Sequence, residues 1–224
     1  MIEAVLFDVG GVLIGPKATA VTGLFLELAA TRVPPEVAAR SFAVADRAAH
    51  DDGVALSDEH GWVQRWAQAL HVDDAVAESV HQRIANSPEL TSQVWSEVNP
   101  EAFPAMDRIR RSGFRIGMVS QSDGHLQARL QTAGLAHSDD VVVDSGLVCW
   151  DKPDPEIYRF AAACVGSPLA RCAFLSDVMM DVLGAERAGC TNVSIYDPHG
   201  VWNDAATPRM ASLGQFVSRC LRPL

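Results

Sequence analysis

Lysine is almost missing from this chain: of 18 basic residues only Lys17 and Lys152 are lysines, and 28 acidic residues bring the formal net charge to −10. Without clustered Lys and Arg to meet phosphates, nucleic acid is excluded as an expected partner. An anionic small molecule would need local help from a metal ion, a lysine or helix N-termini. Nowhere do 18 apolar residues run together, and no basic signal-like segment precedes the first strand, so we expect no membrane span and a cytoplasmic protein. Cys149, Cys164, Cys172, Cys190 and Cys220 are odd in number and form no CxxC pair, which argues against a disulfide framework or a zinc site. They read as reduced thiols, mostly filling the core. Low-complexity tracts and internal repeats are absent too, so disorder is not expected beyond the chain ends.

What is present is 48% hydrophobic content over 224 residues, enough for a sizeable core. It comes in short runs that each stop at a polar residue: Ala4 to Phe7 before Asp8, Phe114 to Val119 before Ser120, Cys172 to Leu175 before Ser176 and Asp177. Val141 to Val143 and Asn192 to Tyr196 supply two more, and helical stretches lie between the later ones: Leu126 to Ala133, Glu156 to Val165, Val178 to Ala188. Apolar strands without polar alternation suit a parallel sheet buried on both faces, and β-α alternation implies right-handed crossovers. The expected fold is α/β, a Rossmann-like doubly wound parallel sheet. Ligands of such sheets bind beyond the carboxyl ends of the strands, where Asp8, Ser120 and Asp177 all emerge.

About a hundred residues separate the first strand from the one near Phe114, whereas a crossover needs about a dozen. Their pattern is helical: Val21 to Ala30, Glu36 to Ala49 after Pro34 and Pro35, Asp58 to Leu70 behind Ser57, and Asp74 to Ala85. Trp62, Val63, Trp66 and Leu70 share a helical face and read as a packing stripe. We expect a small helical cap over residues 16–90, hinged near Gly15-Pro16 and Pro88, inserted into a catalytic core of residues 1–15 and 91–224. A helix near Pro100 to Arg111 would return the chain to the sheet.

Four segments can carry chemistry. In Phe7-Asp8-Val9-Gly10-Gly11-Val12-Leu13 a strand ends in a carboxylate and a glycine pair; such a carboxylate can attack an electrophile or bind a hard cation, and alone it also reads as a turn cap. In Gly117-Met118-Val119-Ser120-Gln121-Ser122 a strand-end hydroxyl suits a phosphate oxygen, or simply an N-cap. Asp151-Lys152-Pro153-Asp154-Pro155 announces a helix, with Asp154 as cap and Pro155 in first position, and sets Lys152 just ahead of its N-terminus, where it can offset Asp8 and an incoming anion. In Ser176-Asp177-Val178-Met179-Met180-Asp181 two acids stand four apart across a strand-to-helix turn. The helix dipole can favour them there, and Mg²⁺ held by Asp177 and Asp8 is the natural compensation for their repulsion.

In order and spacing, Asp8 with Gly10-Gly11-Val12, Ser120, Lys152 with Pro153-Asp154-Pro155, and Asp177 with Asp181 resemble the four motifs of the haloacid dehalogenase-like hydrolase superfamily. The likeness spans nearly the whole chain, and the insertion after the first motif is similar to that family's helical cap. The resemblance implies Asp8 as nucleophile, assisted by Ser120 and Lys152. It implies substrate contacts from Gly11, Ser120, Gln121 and Lys152, and Mg²⁺ bound by Asp8, the Gly10 carbonyl and Asp177, with Asp181 binding through water or orienting Lys152.

Three positions depart from the family pattern. Gly10 stands where phosphatases of the family carry a second Asp as general acid and base, Gln121 where Asn is common, and Ser176 where Gly commonly precedes the metal Asp. Glycine cannot perform proton transfer worth about a hundredfold to ten-thousandfold in rate. A substitute acid could come from the cap, where His50, Asp51, Asp52, Asp58 and His60 are candidates, or from the substrate. The favoured expectation is hydrolysis of a small phosphomonoester. One alternative is the 2-haloacid dehalogenase branch, which also lacks the second Asp, attacks carbon and needs no metal; the acid pair Asp177 and Asp181 speaks against it. Another is a turnover-deficient member that binds a ligand or a protein. A homodimer is left open.

Overall fold

The run Ala4-Val5-Leu6-Phe7-Asp8 is buried at every residue because the first strand has a parallel neighbour on each side. In chain order the strands are β1 (Ala4–Asp8), β2 (Ile14–Gly15), β3 (Glu97–Val98), β4 (Arg115–Ser120), β5 (Val141–Asp144), β6 (Cys172–Ser176), β7 (Asn192–Tyr196) and β8 (Arg209–Met210). Six of them form a parallel sheet in the order β5-β4-β1-β6-β7-β8, while β2 and β3 pair separately as a short ribbon. The chain builds outward from β1 to one edge, then returns to build toward the other, so β1 is where the strand order reverses. Register aligns the strand ends: Asp8 faces Val119, Ser120 faces Asp144, and Phe7 faces Leu175. The result is the expected Rossmann-like α/β sheet, with its carboxyl edge carrying Asp8, Ser120, Asp144 and Ser176.

A computed structural model describes residues 1–29, 32–53, 66–67, 69–70 and 72–222. The chain divides into two units, Met1–Leu13 with Val98–Leu224, and Ile14–Glu97. In the first, Ile157, Tyr158, Ala161 and Val165 join Met179, Val182 and Ala185 in a core with Leu6 and Phe174. Phe7 and Phe216 meet edge-to-face, with ring centroids 5.6 Å apart. Phe216 belongs to a helix, Leu213–Cys220, that the sequence reading did not identify. Its signals were present: Ser212 caps it, accepting a hydrogen bond from the Gln215 N–H at 3.1 Å, and Leu213, Phe216, Val217 and Cys220 are buried at helical spacing.

The second unit has its own core. Helices Ala18–Ala29, Pro35–Asp51, Asp74–Ala85 and Pro88–Val94 contribute to it, and its buried side chains include Val21, Phe25, Ala38, Trp66, Val80 and Val94. Trp66 is central: Phe25 and Phe42 meet it edge-on at 5.6 and 6.2 Å, and its indole N–H donates to the Ala38 carbonyl at 3.2 Å and to the Ser41 hydroxyl. Trp66 and Leu70 of the expected stripe are thus core residues. Trp62 and Val63 lie outside the described residues, as do Asp58 and His60 and most of the expected Asp58 to Leu70 helix. Among the described residues no helix is long and apolar enough to cross a membrane.

Candidate active site

Asp8 closes β1 and is 3% exposed. Its Oδ1 accepts the Val9 backbone N–H at 2.7 Å. Its Oδ2 takes two side-chain donors, the Lys152 ammonium and the Ser176 hydroxyl, each at 2.7 Å. Lys152 also reaches Asp181 Oδ2 at 2.5 Å, so a single buried ammonium bridges two buried carboxylates.

Local chemistry explains how Lys152 arrives there. The helix Pro155–Cys164 begins with Pro155, and Asp154 caps it by accepting the Glu156 N–H at 2.9 Å. The Asp154 N–H donates to the Asp151 carbonyl at 2.8 Å, closing a turn around Lys152 and Pro153. Gly184 on the helix Met179–Ala188 permits close approach behind that turn, since a Cβ there would lie 2.7 Å from the Pro153 carbonyl oxygen. The Tyr158 hydroxyl ties the two helices together by donating to the Asp181 carbonyl at 2.9 Å.

One ammonium cannot neutralise two carboxylates. Burial pushes Asp181 up to about 6; the Lys152 charge pulls it down and the Asp8 charge adds to the rise. For Lys152 burial acts downward, but Asp181 and Asp8 outweigh it and hold the ammonium above the ordinary lysine range. Lys152 therefore stays charged, and the surplus negative charge falls on the carboxylates.

Asp177 follows β6 directly. Gly11 has φ of +72°, which favours glycine, and a Cβ on it would lie 1.8 Å from Asp177 Oδ2, so any side chain there would displace the Asp177 carboxylate. The Asp177 carboxylate is thereby laid against the segment that follows Asp8. Among the described residues no three His, Cys, Asp or Glu side chains form a ready cage. The donor set nevertheless fits Mg²⁺, which takes hard oxygen ligands and commonly needs only one or two carboxylates plus water. Asp8, Asp177 and the Gly10 carbonyl would be such donors, while Asp181 is turned onto Lys152. Ser120 is buried at the end of β4, its hydroxyl donating to the Gln121 carbonyl at 3.3 Å, and Gln121 is exposed.

The profile of the haloacid dehalogenase-like hydrolases matches residues 2–189. The chain belongs to that family. It is 30% identical over 170 residues to phosphatase MT3486 of Mycobacterium tuberculosis, covering 68% of this chain and 78% of that protein. It is 33% identical over 101 residues to (S)-2-haloacid dehalogenase 4A of Burkholderia cepacia, covering 43% of this chain and 42% of that one. The structure of a phosphatase of the family from Thermococcus onnurineus superposes with a TM-score of 0.61 at 19% identity, over 97% of each chain, which shows the shared fold.

In this haloacid dehalogenase-like hydrolase the sequence reading missed two residues near the site. Asp144 ends β5 and is 3% exposed; its Oδ1 accepts the N–H groups of Gly124 at 3.1 Å and Gly146 at 3.0 Å, and its Oδ2 accepts the Leu126 N–H at 2.9 Å. It pins the loop that follows Ser120. The signal was available, because the run Val141 to Val143 stops at an acid just as β1 does. Asn99 had no such signal: its role depends on Val12 and Tyr196, each more than eighty residues away. Of the acid candidates in the insertion, His50, Asp51 and Asp52 fall in the second unit.

Proposed function

We propose that this hydrolase cleaves small phosphomonoesters through an aspartyl-phosphate on Asp8, with Mg²⁺ as cofactor and the helical insertion, residues 16–90, as a cap that selects the substrate. The observation that carries the reading is the Lys152 bridge between Asp8 and Asp181, with Asp177 laid against Gly11. It leaves a carboxylate at the sheet's reversal point amid negative charge that a divalent cation would offset. The relative named as a phosphatase supports the same choice.

In this reading Asp8 attacks phosphorus in line, forming a P–O bond as the bond to the substrate alcohol breaks. Lys152 and Ser176 orient the carboxylate through Oδ2. Ser120, Gln121 and the Gly11 backbone receive phosphoryl oxygens, and Lys152 balances their charge. Asp8, the Gly10 carbonyl and Asp177 would hold Mg²⁺, with Asp181 assisting through water or by orienting Lys152, and the ion would supply further positive charge against those oxygens. Water then attacks phosphorus, releasing phosphate and restoring the Asp8 carboxylate. Gly10 offers no proton to the departing alcohol, so esters of acidic alcohols, which leave as anions, are the better substrates.

Phosphate release from sugar phosphates, nucleotides and activated aryl phosphates, measured with Mg²⁺ and with a chelator, tests this. Release that needs Mg²⁺ is the expected result; none across the panel by folded protein sinks the reading. Gly10 and the Burkholderia cepacia relative favour a second one, 2-haloacid dehalogenation by Asp8 attack on carbon. Halide release that survives the chelator would establish it instead.

A further inference from the structure

Asn99 stands where the chain re-enters the α/β unit, outside all four motifs. Its backbone N–H donates to the Leu13 carbonyl at 2.9 Å. Its side-chain N–H₂ donates to the Val12 carbonyl at 2.8 Å and to the Tyr196 hydroxyl at 3.0 Å, and its Oδ1 accepts the Glu101 N–H at 3.0 Å. Val12 and Leu13 are fully buried, so their carbonyls have little recourse to water if Asn99 is lost. The Leu13 N–H donates to the Val9 carbonyl at 2.9 Å, which makes Val9–Leu13 a closed turn clamped at its base by one residue. That turn carries Gly10 and Gly11.

Tyr196 ends β7. Register pairs Ser176 with Ile195, so Tyr196 stands beside Asp177 one step further along the neighbouring strands. Burial and the nearby charges of Glu101 and Asp177 push its phenol up against the pull of Asn99, which keeps it neutral and able to accept the Asn99 hydrogen bond.

We propose that Asn99, backed by Tyr196, is a positioning residue: it fixes the Val9–Leu13 turn so that the Gly10 carbonyl and the Asp8 carboxylate present themselves to one cation, with Gly11 seating Asp177. The consequence for Mg²⁺ rests on the function proposed above; the clamp on the turn stands on the hydrogen bonds alone.

Asn99→Asp keeps the acceptor for the Glu101 N–H but points an acceptor at the Val12 carbonyl. Tyr196→Phe removes only the outer support. Ser212→Ala, which uncaps the helix Leu213–Cys220 without removing a hydrogen bond of the Val9–Leu13 turn, is the control for general destabilisation. Two measurements on the full chain decide: hydrogen exchange of the Val9–Leu13 segment without metal, and calorimetric titration with Mg²⁺ alone. We expect Asn99→Asp to speed exchange there by about tenfold or more and to weaken Mg²⁺ by about tenfold to a hundredfold, the range for residues that orient metal ligands. Tyr196→Phe should shift both in the same direction by less, and Ser212→Ala neither. Wild-type exchange in Asn99→Asp overturns the proposal, as does an equal change in Ser212→Ala. If the wild type binds no Mg²⁺, the metal assignment fails and exchange in Val9–Leu13 judges Asn99 by itself. If Asn99→Asp does not fold, Asn99→Ser and Tyr196→Phe undergo the same two measurements with the same outcomes deciding.

Discussion

Asp8 and Asp144 end parallel strands on the same edge of the sheet, both are 3% exposed, and they are held in opposite ways. Asp144 accepts from the backbone N–H groups of Gly124, Leu126 and Gly146. Asp8 has one backbone donor, from Val9, and otherwise leans on the Lys152 ammonium and the Ser176 hydroxyl. Backbone amides are immovable and neutral, so a carboxylate surrounded by them is a pin. An ammonium shared with a second acid is a charge that can be redistributed, which is what an attacking carboxylate requires. In the proposed reaction Asp8 is the reactive acid, and what sets it apart from Asp144 is the kind of donor around it, not burial.

The sharpest way to break this comparison is to neutralise each acid. Asp8→Asn should leave activity below about one ten-thousandth of wild type, as loss of a nucleophile does, with the melting temperature kept or raised because one of two competing buried carboxylates is gone. Steady-state kinetics and thermal melts check it, and retained turnover would place the nucleophile elsewhere. Lys152→Met should cost about 3–5 kcal/mol, the usual effect of stranding buried charge, and the double variant Lys152→Met with Asp181→Asn should recover part of that. Urea denaturation measures both; additive losses in the double variant would mean the bridge is not a coupled unit.

Asp144→Asn should cost about 1–3 kcal/mol by setting an N–H₂ group against backbone donors. Its kinetic effect should fall mainly on KM, through the loop after Ser120, with kcat little changed. A pH effect is expected as well. The folded value of Asp181 is raised above its unfolded one, so the folded state holds its proton more tightly. This group's stabilising contribution is complete below its ordinary value of 3.8 and is lost as pH rises through about 6. Metal-free wild type should lose up to about 1.4 kcal/mol per pH unit relative to Asp181→Asn across that window, measured by denaturation at pH 4, 5, 6 and 7. Parallel curves for the two proteins would contradict the shift.

Much of the molecule was legible in the chain, for reasons that are local. Ala4 to Phe7 and Cys172 to Leu175 announced buried parallel strands by being apolar without alternation, and Asp154-Pro155 announced its helix by cap and first-turn chemistry. The order of Asp8, Ser120, Lys152 and Asp177 identified the family, because a sheet of this kind brings strand ends to one edge wherever they fall in sequence. The helix Leu213–Cys220 is legible as well, because Ser212 and four apolar positions at helical spacing mark it.

What only the folded chain decided are relations among distant residues. That Lys152 serves both Asp8 and Asp181, that Ser176 donates to the same Asp8 oxygen as Lys152, that Asp177 occupies the space a side chain on Gly11 would need, and that Asn99 reaches Val12 and Tyr196 all follow from register and close packing. Propensity and periodicity act over a few residues and determine which elements form. Electrostatic pairing and hydrogen bonding across a sheet edge act over a few ångströms, and residues more than eighty apart in the chain come within that range only once the sheet exists.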